Sequence, residues 1–330
     1  MKQLLVLITS IFLFFDFSHL AKASKSVSTN LDNNNCTLTV LKPGEGCFLY
    51  KVESGNFSIP VYYYIPHQLQ PNTKVVFAMH GEQRNAEDYR NDWRNIYNHN
   101  GSDNSNFILL APQFEQKWFP KATGYNLGNM FTQNLKTLNP QEQWAFTEIE
   151  NLFDFVKQST KINTNNYYLY GHSAGAQFVH RMIIFLPHAR IKLAVAAEAG
   201  SYTILDESAD YPCGLKKQTG DQLPSVDFKK TFSTPMTIIL GTKDHQPLSD
   251  KHDTYSCDAK QGSNRLARGE YFYAKVKSIA EHTKEDFRWV LKEVNAAHIV
   301  AHTNPPIEDP VLVSCAAKEF FPKLRGVNCE

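Results

Sequence analysis

The 330-residue chain has almost no excess of charge: 34 Lys and Arg stand against 33 Asp and Glu, a formal net charge of +1. That balance argues against nucleic acid or an anionic membrane surface as a partner. No Cys-x-x-Cys occurs, so zinc knuckles and dithiol redox sites are not indicated. Beyond the N-terminus no apolar run is long enough to cross a bilayer. Internal repeats and low-complexity tracts are missing too, which leaves a globular chain rather than an array. The 42% hydrophobic fraction supports a sizeable core, and the 22 Phe and 15 Tyr argue against disorder.

The N-terminus reads as an export signal. Lys2 supplies the positive start, Leu4 to Phe17 are almost all apolar, and Ala21-Lys22-Ala23 fits a small-x-small cleavage site. Residues 1–23 are therefore expected to be a signal peptide, with Ser24 opening a secreted or periplasmic protein without integral membrane association. The alternative, an uncleaved anchor, is disfavoured because the run is short and Asp16 interrupts it. All six cysteines follow this segment, and an even number in an exported chain suggests three disulfides. Nearest-neighbour pairing (Cys36–Cys47, Cys213–Cys257, Cys315–Cys329) is one of the connectivities left open.

Residues 24–330 are expected to form a single domain. Cys47 to Val52 and Phe57 to Ile65 alternate around Ser54-Gly55-Asn56 and predict a hairpin. Lys74 to Met79, Phe107 to Ala111, Tyr167 to Tyr170, Leu193 to Ala197, Thr237 to Leu240 and Phe287 to Val294 predict further strands. Helices are expected after Asn139-Pro140, where Ile149, Leu152, Phe153 and Val156 share one face, over Ala174 to Leu186, over Gly269 to Glu281, and over Lys318 to Leu324. Strands alternating with helices imply an α/β fold with a mainly parallel sheet covered on both faces. The irregular stretch at about 200–233 breaks the rhythm and is the candidate cap or insertion.

Gly171-His172-Ser173-Ala174-Gly175 fits a nucleophile elbow, Gly-x-Ser-x-Gly. An apolar strand precedes it and a helix follows, as the tight turn requires; the bland reading is a glycine-rich turn. A serine hydroxyl needs a base, and the base a carboxylate that orients it. In the order Ser, acid, His, the chain offers Asp244 beyond one strand and His298 beyond the next, with Asp250, Asp253 and His302 as competitors. His298 and His302 do not make a zincin pair, because Ile299 stands where a general-base Glu is needed, so no metal site is expected. The backbone N–H groups of Glu82, after His80-Gly81, and of Ala174 are the expected oxyanion donors. His80, Arg84, Trp118 and Tyr202 are candidates to contact substrate; ordinary packing or a surface role is as good a reading of the last three. Asn35-Cys36-Thr37, Asn56-Phe57-Ser58 and Asn100-Gly101-Ser102 fit the glycosylation sequon, a short pattern common by chance.

Three blocks carry a family likeness: His80-Gly81 with Arg84-Asn85-Ala86 and Tyr89-Arg90 behind it, the elbow continuing to Ala176-Gln177-Phe178-Val179-His180-Arg181, and Gln261-Gly262-Ser263-Asn264-Arg265-Leu266-Ala267-Arg268-Gly269. From Lys74 to His298 the chain resembles secreted α/β hydrolases of the polyhydroxybutyrate-depolymerase-like and feruloyl-esterase-like kind. The resemblance implies the α/β-hydrolase fold and hydrolysis of small or polymeric esters through an acyl-enzyme, with no cofactor. It departs at Asn295-Ala296-Ala297, where many relatives have Gly near the base, and gives the third block no chemical role; Arg265 and Arg268 are expected to tie the acid-bearing loop to the helix after it. A peptidase or amidase on the same fold, and a non-catalytic binding protein on a hydrolase scaffold, are the alternatives.

Overall fold

Among the described residues, nine strands pair into one sheet in the order β1-β2-β3-β5-β4-β6-β7-β8-β9. They are β1 Thr37–Leu38, β2 Gly44–Lys51, β3 Ser58–Ile65, β4 Lys74–Met79, β5 Phe107–Pro112, β6 Tyr167–His172, β7 Ile191–Ala197, β8 Met236–Gly241 and β9 Trp289–Val294. The computed structural model describes residues 36–38, 41–100, 106–248, 258–300, 307–324 and 329. The expected signal peptide, Cys257, Asp250, Asp253 and His302 lie outside them. From β5 to β9 neighbouring strands run parallel, while β3 is antiparallel to both β2 and β5. The β2–β3 pairing is the hairpin expected around Ser54-Gly55-Asn56.

The parallel strands read as unbroken apolar runs because both faces of the sheet are covered. Period-two alternation divides them between two cores. Phe77, Met79, Leu169, Ala194, Ile238 and Leu240 face one side. Val76, Ala78, Tyr170, Val195, Ala197 and Ile239 face the other. Helices α3 (Ala145–Thr160), α4 (Ala174–Phe185) and α7 (Arg265–Thr283) cover the first side through residues such as Ile149, Phe178 and Phe272. Helices α1 (Ala86–Asn100) and α8 (Pro310–Phe320) cover the second through Trp93, Leu312 and Phe320. Short helices α2 (Lys121–Gly124), α5 (Phe228–Ser233) and α6 (Asp258–Gln261), a single 3₁₀ turn at Gln141–Gln143 and a two-stranded pair, β10 (Ile299–Val300) with β11 (Ile307–Glu308), complete the described elements.

Helix boundaries differ from expectation for identifiable reasons. Helix α7 begins four residues before Gly269 because the Asn264 side chain accepts the Ala267 N–H and caps it. The last helix spans Pro310–Phe320 rather than Lys318 to Leu324: Asp309 caps Val311 N–H, and Pro310 starts the helix without needing a donor. The irregular stretch at about 200–233 is not wholly loop, since α5 occupies its end, and Tyr202, Ile204 and Leu205 near its start are buried. Disulfides join Cys36 to Cys47 and Cys315 to Cys329.

Candidate active site

At the C-terminal end of β6 the chain turns directly into α4 at Ser173, whose φ of 56° and ψ of −114° are unusual for a residue with a side chain. The turn is held by Ser173 N–H donating to Ala197 O (2.9 Å) and Gln177 N–H donating to Ser173 O (3.1 Å). Its flanking glycines are needed for space. A Cβ on Gly171 would stand 2.3 Å from Gly175 O, and one on Gly175 would stand 2.2 Å from Met79 O. The half-buried hydroxyl is thereby lifted clear of the sheet, at the end where parallel α/β sheets place their ligands.

His298 follows β9, and its Nε2 lies 3.1 Å from Ser173 Oγ. Two carboxylates meet its other nitrogen. Glu198 Oε2 is 3.0 Å from Nδ1, and Asp244 Oδ2 is 3.4 Å away. Glu198, the first residue after β7, is 1% exposed. Burial alone would raise its carboxyl, but the imidazoles of His172 and His298 beside it prevail and hold it at about 2. Asp244, after β8, gives its other oxygen to Arg265 on α7 at 3.2 Å. The arrangement joins a hydroxyl, an imidazole that can take its proton, and negative charge to stabilise the imidazolium.

Below this row lies a second buried polar chain. Tyr89 OH accepts the Gly81 N–H (3.0 Å) and can therefore donate to His172 Nδ1 (2.9 Å). That assigns the proton of His172 to Nε2, which is 3.8 Å from Glu198 Oε2, too far for a hydrogen bond. Burial, and then the neighbouring His298, lower the pKa of His172 to about 4 and keep it neutral. Glu308, buried beside it, accepts from Tyr170 OH (2.5 Å), and burial pushes its carboxyl well above the usual carboxylate range. His172, Glu198 and His298 bring donor atoms within 4.8 Å of one another, the only group among the described residues spaced to hold a metal ion.

Among solved structures, the poly(aspartic acid) hydrolase-1 from Sphingomonas sp. KT-1 is 35% identical, with a TM-score of 0.73 over 86% of this chain and 100% of that one. A poly(3-hydroxybutyrate) depolymerase from Bordetella parapertussis is 24% identical, with a TM-score of 0.71 over 86% of this chain and 92% of that one. The chain belongs to the α/β-hydrolase superfamily. No protein-family model and no curated protein matches it.

The cleft of this α/β hydrolase opens beside Ser173 with a volume of about 360 Å³. Its lining includes Glu82, Arg84, Lys121, Gln177, Leu248 and Arg265. Ala174, the first residue of α4, also lines the cleft, and its N–H has no partner within the helix. Arg84 is on the lining but is largely consumed by structure: its guanidinium donates to the backbone oxygens of Phe114, Phe119 and Lys121 and lies over the Tyr125 ring.

The reading of His80 and Tyr202 as substrate contacts is corrected by their burial, each with no exposed surface. His80 holds the loop above β4 by accepting from Phe114 N–H (3.1 Å) and lying 2.9 Å from Gly81 O. Tyr202 packs on Phe272, and its backbone N–H and carbonyl both bond the Gln261 side chain. Trp118 is 42% exposed but outside the cleft lining, stacked on Phe57. Gln261 to Gly269 acquires a use: Gln261 and Arg268 fasten Tyr202 and Gly200, while Arg265 reaches Asp244. Sequence reasoning missed Glu198; its signal was a lone carboxylate in the otherwise small and apolar run Ala196-Ala197-Glu198-Ala199-Gly200.

Proposed function

We propose that this α/β hydrolase is an exported serine hydrolase that cleaves carboxylic esters through an acyl-enzyme. The observation that supports it is the 3.1 Å approach of His298 Nε2 to the hydroxyl of a strained Ser173. Ser173 Oγ attacks the ester carbonyl as its proton passes to His298 Nε2. The tetrahedral oxyanion is received by the N–H groups of Glu82 and Ala174. His298 then returns the proton to the departing alcohol, and water repeats the sequence to release the acid. Chain order assigns the carboxylate that stabilises the imidazolium to Asp244, which stands 3.4 Å from Nδ1. Export is supported by the apolar start of the chain and by the Cys36–Cys47 and Cys315–Cys329 disulfides, a kind of bond that belongs to oxidising compartments.

A second reading, amide hydrolysis in a carboxylate-bearing polymer, is favoured by Lys121 on the cleft lining, where Arg84 and Arg265, though held by backbone oxygens and by Asp244, add positive charge against one acid, Glu82. It is also favoured by the similarity to a poly(aspartic acid) hydrolase. Both readings share Ser173 and His298. The test is kcat/KM of the wild type, Ser173→Ala and His298→Ala on p-nitrophenyl esters, 3-hydroxybutyrate oligomers and aspartate oligomers. Each substitution is expected to remove about 10⁴-fold or more of turnover. Preference for aspartate oligomers selects the second reading. A folded wild type inert toward all three refutes both and leaves a binding protein; hydrolysis unaffected by Ser173→Ala refutes Ser173 as the nucleophile in either.

A further inference from the structure

The imidazole of His298 has one N–H to give on its inner side and two carboxylates within reach. Glu198 Oε2 at 3.0 Å makes a hydrogen bond with Nδ1. Asp244 Oδ2 at 3.4 Å makes none and is buried without any hydrogen-bond partner. The other oxygen of Asp244 is drawn toward Arg265, whose charge offsets its own.

Glu198 is held for this contact from several directions. Its Oε1 accepts the Gly241 N–H at 2.9 Å, and its own N–H donates to Ile239 O at 2.9 Å, so the end of β8 fixes both ends of the residue. Its φ is +52°, a left-handed conformation uncommon for a residue with a long side chain, and it stands one strand away from the equally unusual Ser173. Gly241 makes room for it: a Cβ there would stand 2.1 Å from Glu198 Oε1. The groups facing the carboxylate are His172 from β6, His298 from beyond β9 and the Gly241 amide of β8. A buried carboxylate 1% exposed, set in strained backbone and aimed at one imidazole nitrogen, has a use beyond packing.

We propose that Glu198, rather than Asp244, receives the Nδ1–H of His298 and is the positioning residue that sets its tautomer, with Asp244 a second, Arg265-neutralised charge behind the ring. This rests on Ser173 and His298 acting as nucleophile and base. With Nδ1–H given to Glu198, Nε2 carries the lone pair that faces Ser173. When the serine proton moves to Nε2, the imidazolium keeps both protons, and Glu198 stays ionised beside it. No proton passes to the carboxylate, as in other hydroxyl–imidazole–carboxylate rows.

The experiment compares Glu198→Gln and Asp244→Asn by hydrolysis of p-nitrophenyl acetate across pH, with thermal melting to confirm the fold. Glu198→Gln is expected to lower kcat by about 10³-fold, because its amide supports the wrong tautomer. It should also move the acidic limb of kcat/KM to lower pH by about one unit, because the imidazolium loses its anion. Asp244→Asn is expected to cost about tenfold or less and to leave the limb within a few tenths of a unit. Should Glu198→Gln fail to fold, Asp244→Asn decides alone: a folded protein with about a 10³-fold loss and a displaced limb overturns the proposal. So does a folded, active Glu198→Gln. Fluorophosphonate labelling of the wild type keeps the two levels apart. A wild type that is not labelled at Ser173 refutes the underlying reading, whereas a labelled one with Asp244 dominant refutes only the role of Glu198.

Discussion

Gly175→Ala places one methyl group against backbone that cannot turn aside. Its Cβ would lie 2.2 Å from Met79 O and 2.8 Å from His80 O, where ordinary contact begins at 3.4 Å. Relief requires α4 to retreat from the end of β4 by about 1 Å, a displacement that can cost about 10²-fold in rate where reacting atoms must be aligned. Because Ser173 immediately precedes α4, the retreat moves Oγ relative to His298 Nε2. Overpacking of this kind destabilises by about 1–3 kcal/mol, a fall of a few degrees in Tm. The assay is steady-state ester hydrolysis beside a thermal melt. The expected result is a loss of about 10²-fold in kcat in a protein still folded at 25 °C. Activity within threefold of wild type and an unchanged Tm would refute the claim that this close approach fixes the nucleophile.

Two further outcomes follow from buried polar groups. Glu148, 1% exposed at the start of α3, has its pKa raised by burial, and then by nearby Glu53, to about 7. Because the folded value lies above the unfolded one, the stabilisation is complete below about pH 4.5 and is lost as pH rises through 7, by up to about 3 kcal/mol. Glu148→Gln should flatten that loss in urea melts at pH 5 and pH 8.5; equal slopes in both proteins would contradict it. Tyr89→Phe leaves Gly81 N–H and His172 Nδ1 without the hydroxyl they share. The expected cost is about 2–4 kcal/mol in urea melts, with lower ester turnover as the loop carrying Glu82 loosens; a change under 0.5 kcal/mol would contradict it.

Much of the sheet was legible because its central strands are short, wholly apolar and bounded by turn residues. Val75 to Met79 and Ile238 to Leu240 could be buried only in a layer covered on both faces. Helix α1 escaped notice because its buried stripe is narrow: Tyr89, Trp93 and Ile96 recur at helical spacing amid Glu, Asp, Arg and Asn, and its mean hydropathy is low. Asp309-Pro310 was a start signal for α8 that apolar periodicity alone did not reveal. At the site, a glycine-spaced serine and a histidine beyond the last strand are local signals. The choice between carboxylates is not local. Chain order points to Asp244, whereas proximity depends on how the ends of β7 and β8 sit side by side, where Glu198 Oε1 takes the Gly241 amide and Oε2 turns to the imidazole. His80 and Tyr202 show the opposite failure, since residues adjoining a site in sequence can be wholly occupied in supporting it.

Peptide mapping by mass spectrometry after reaction with a fluorophosphonate reports directly on the serine. A single adduct is expected on the peptide containing Ser173, formed in the native protein, abolished by Ser173→Ala and strongly slowed by His298→Ala. Native protein that stays unmodified at Ser173, or that is modified equally fast without the imidazole, would contradict it.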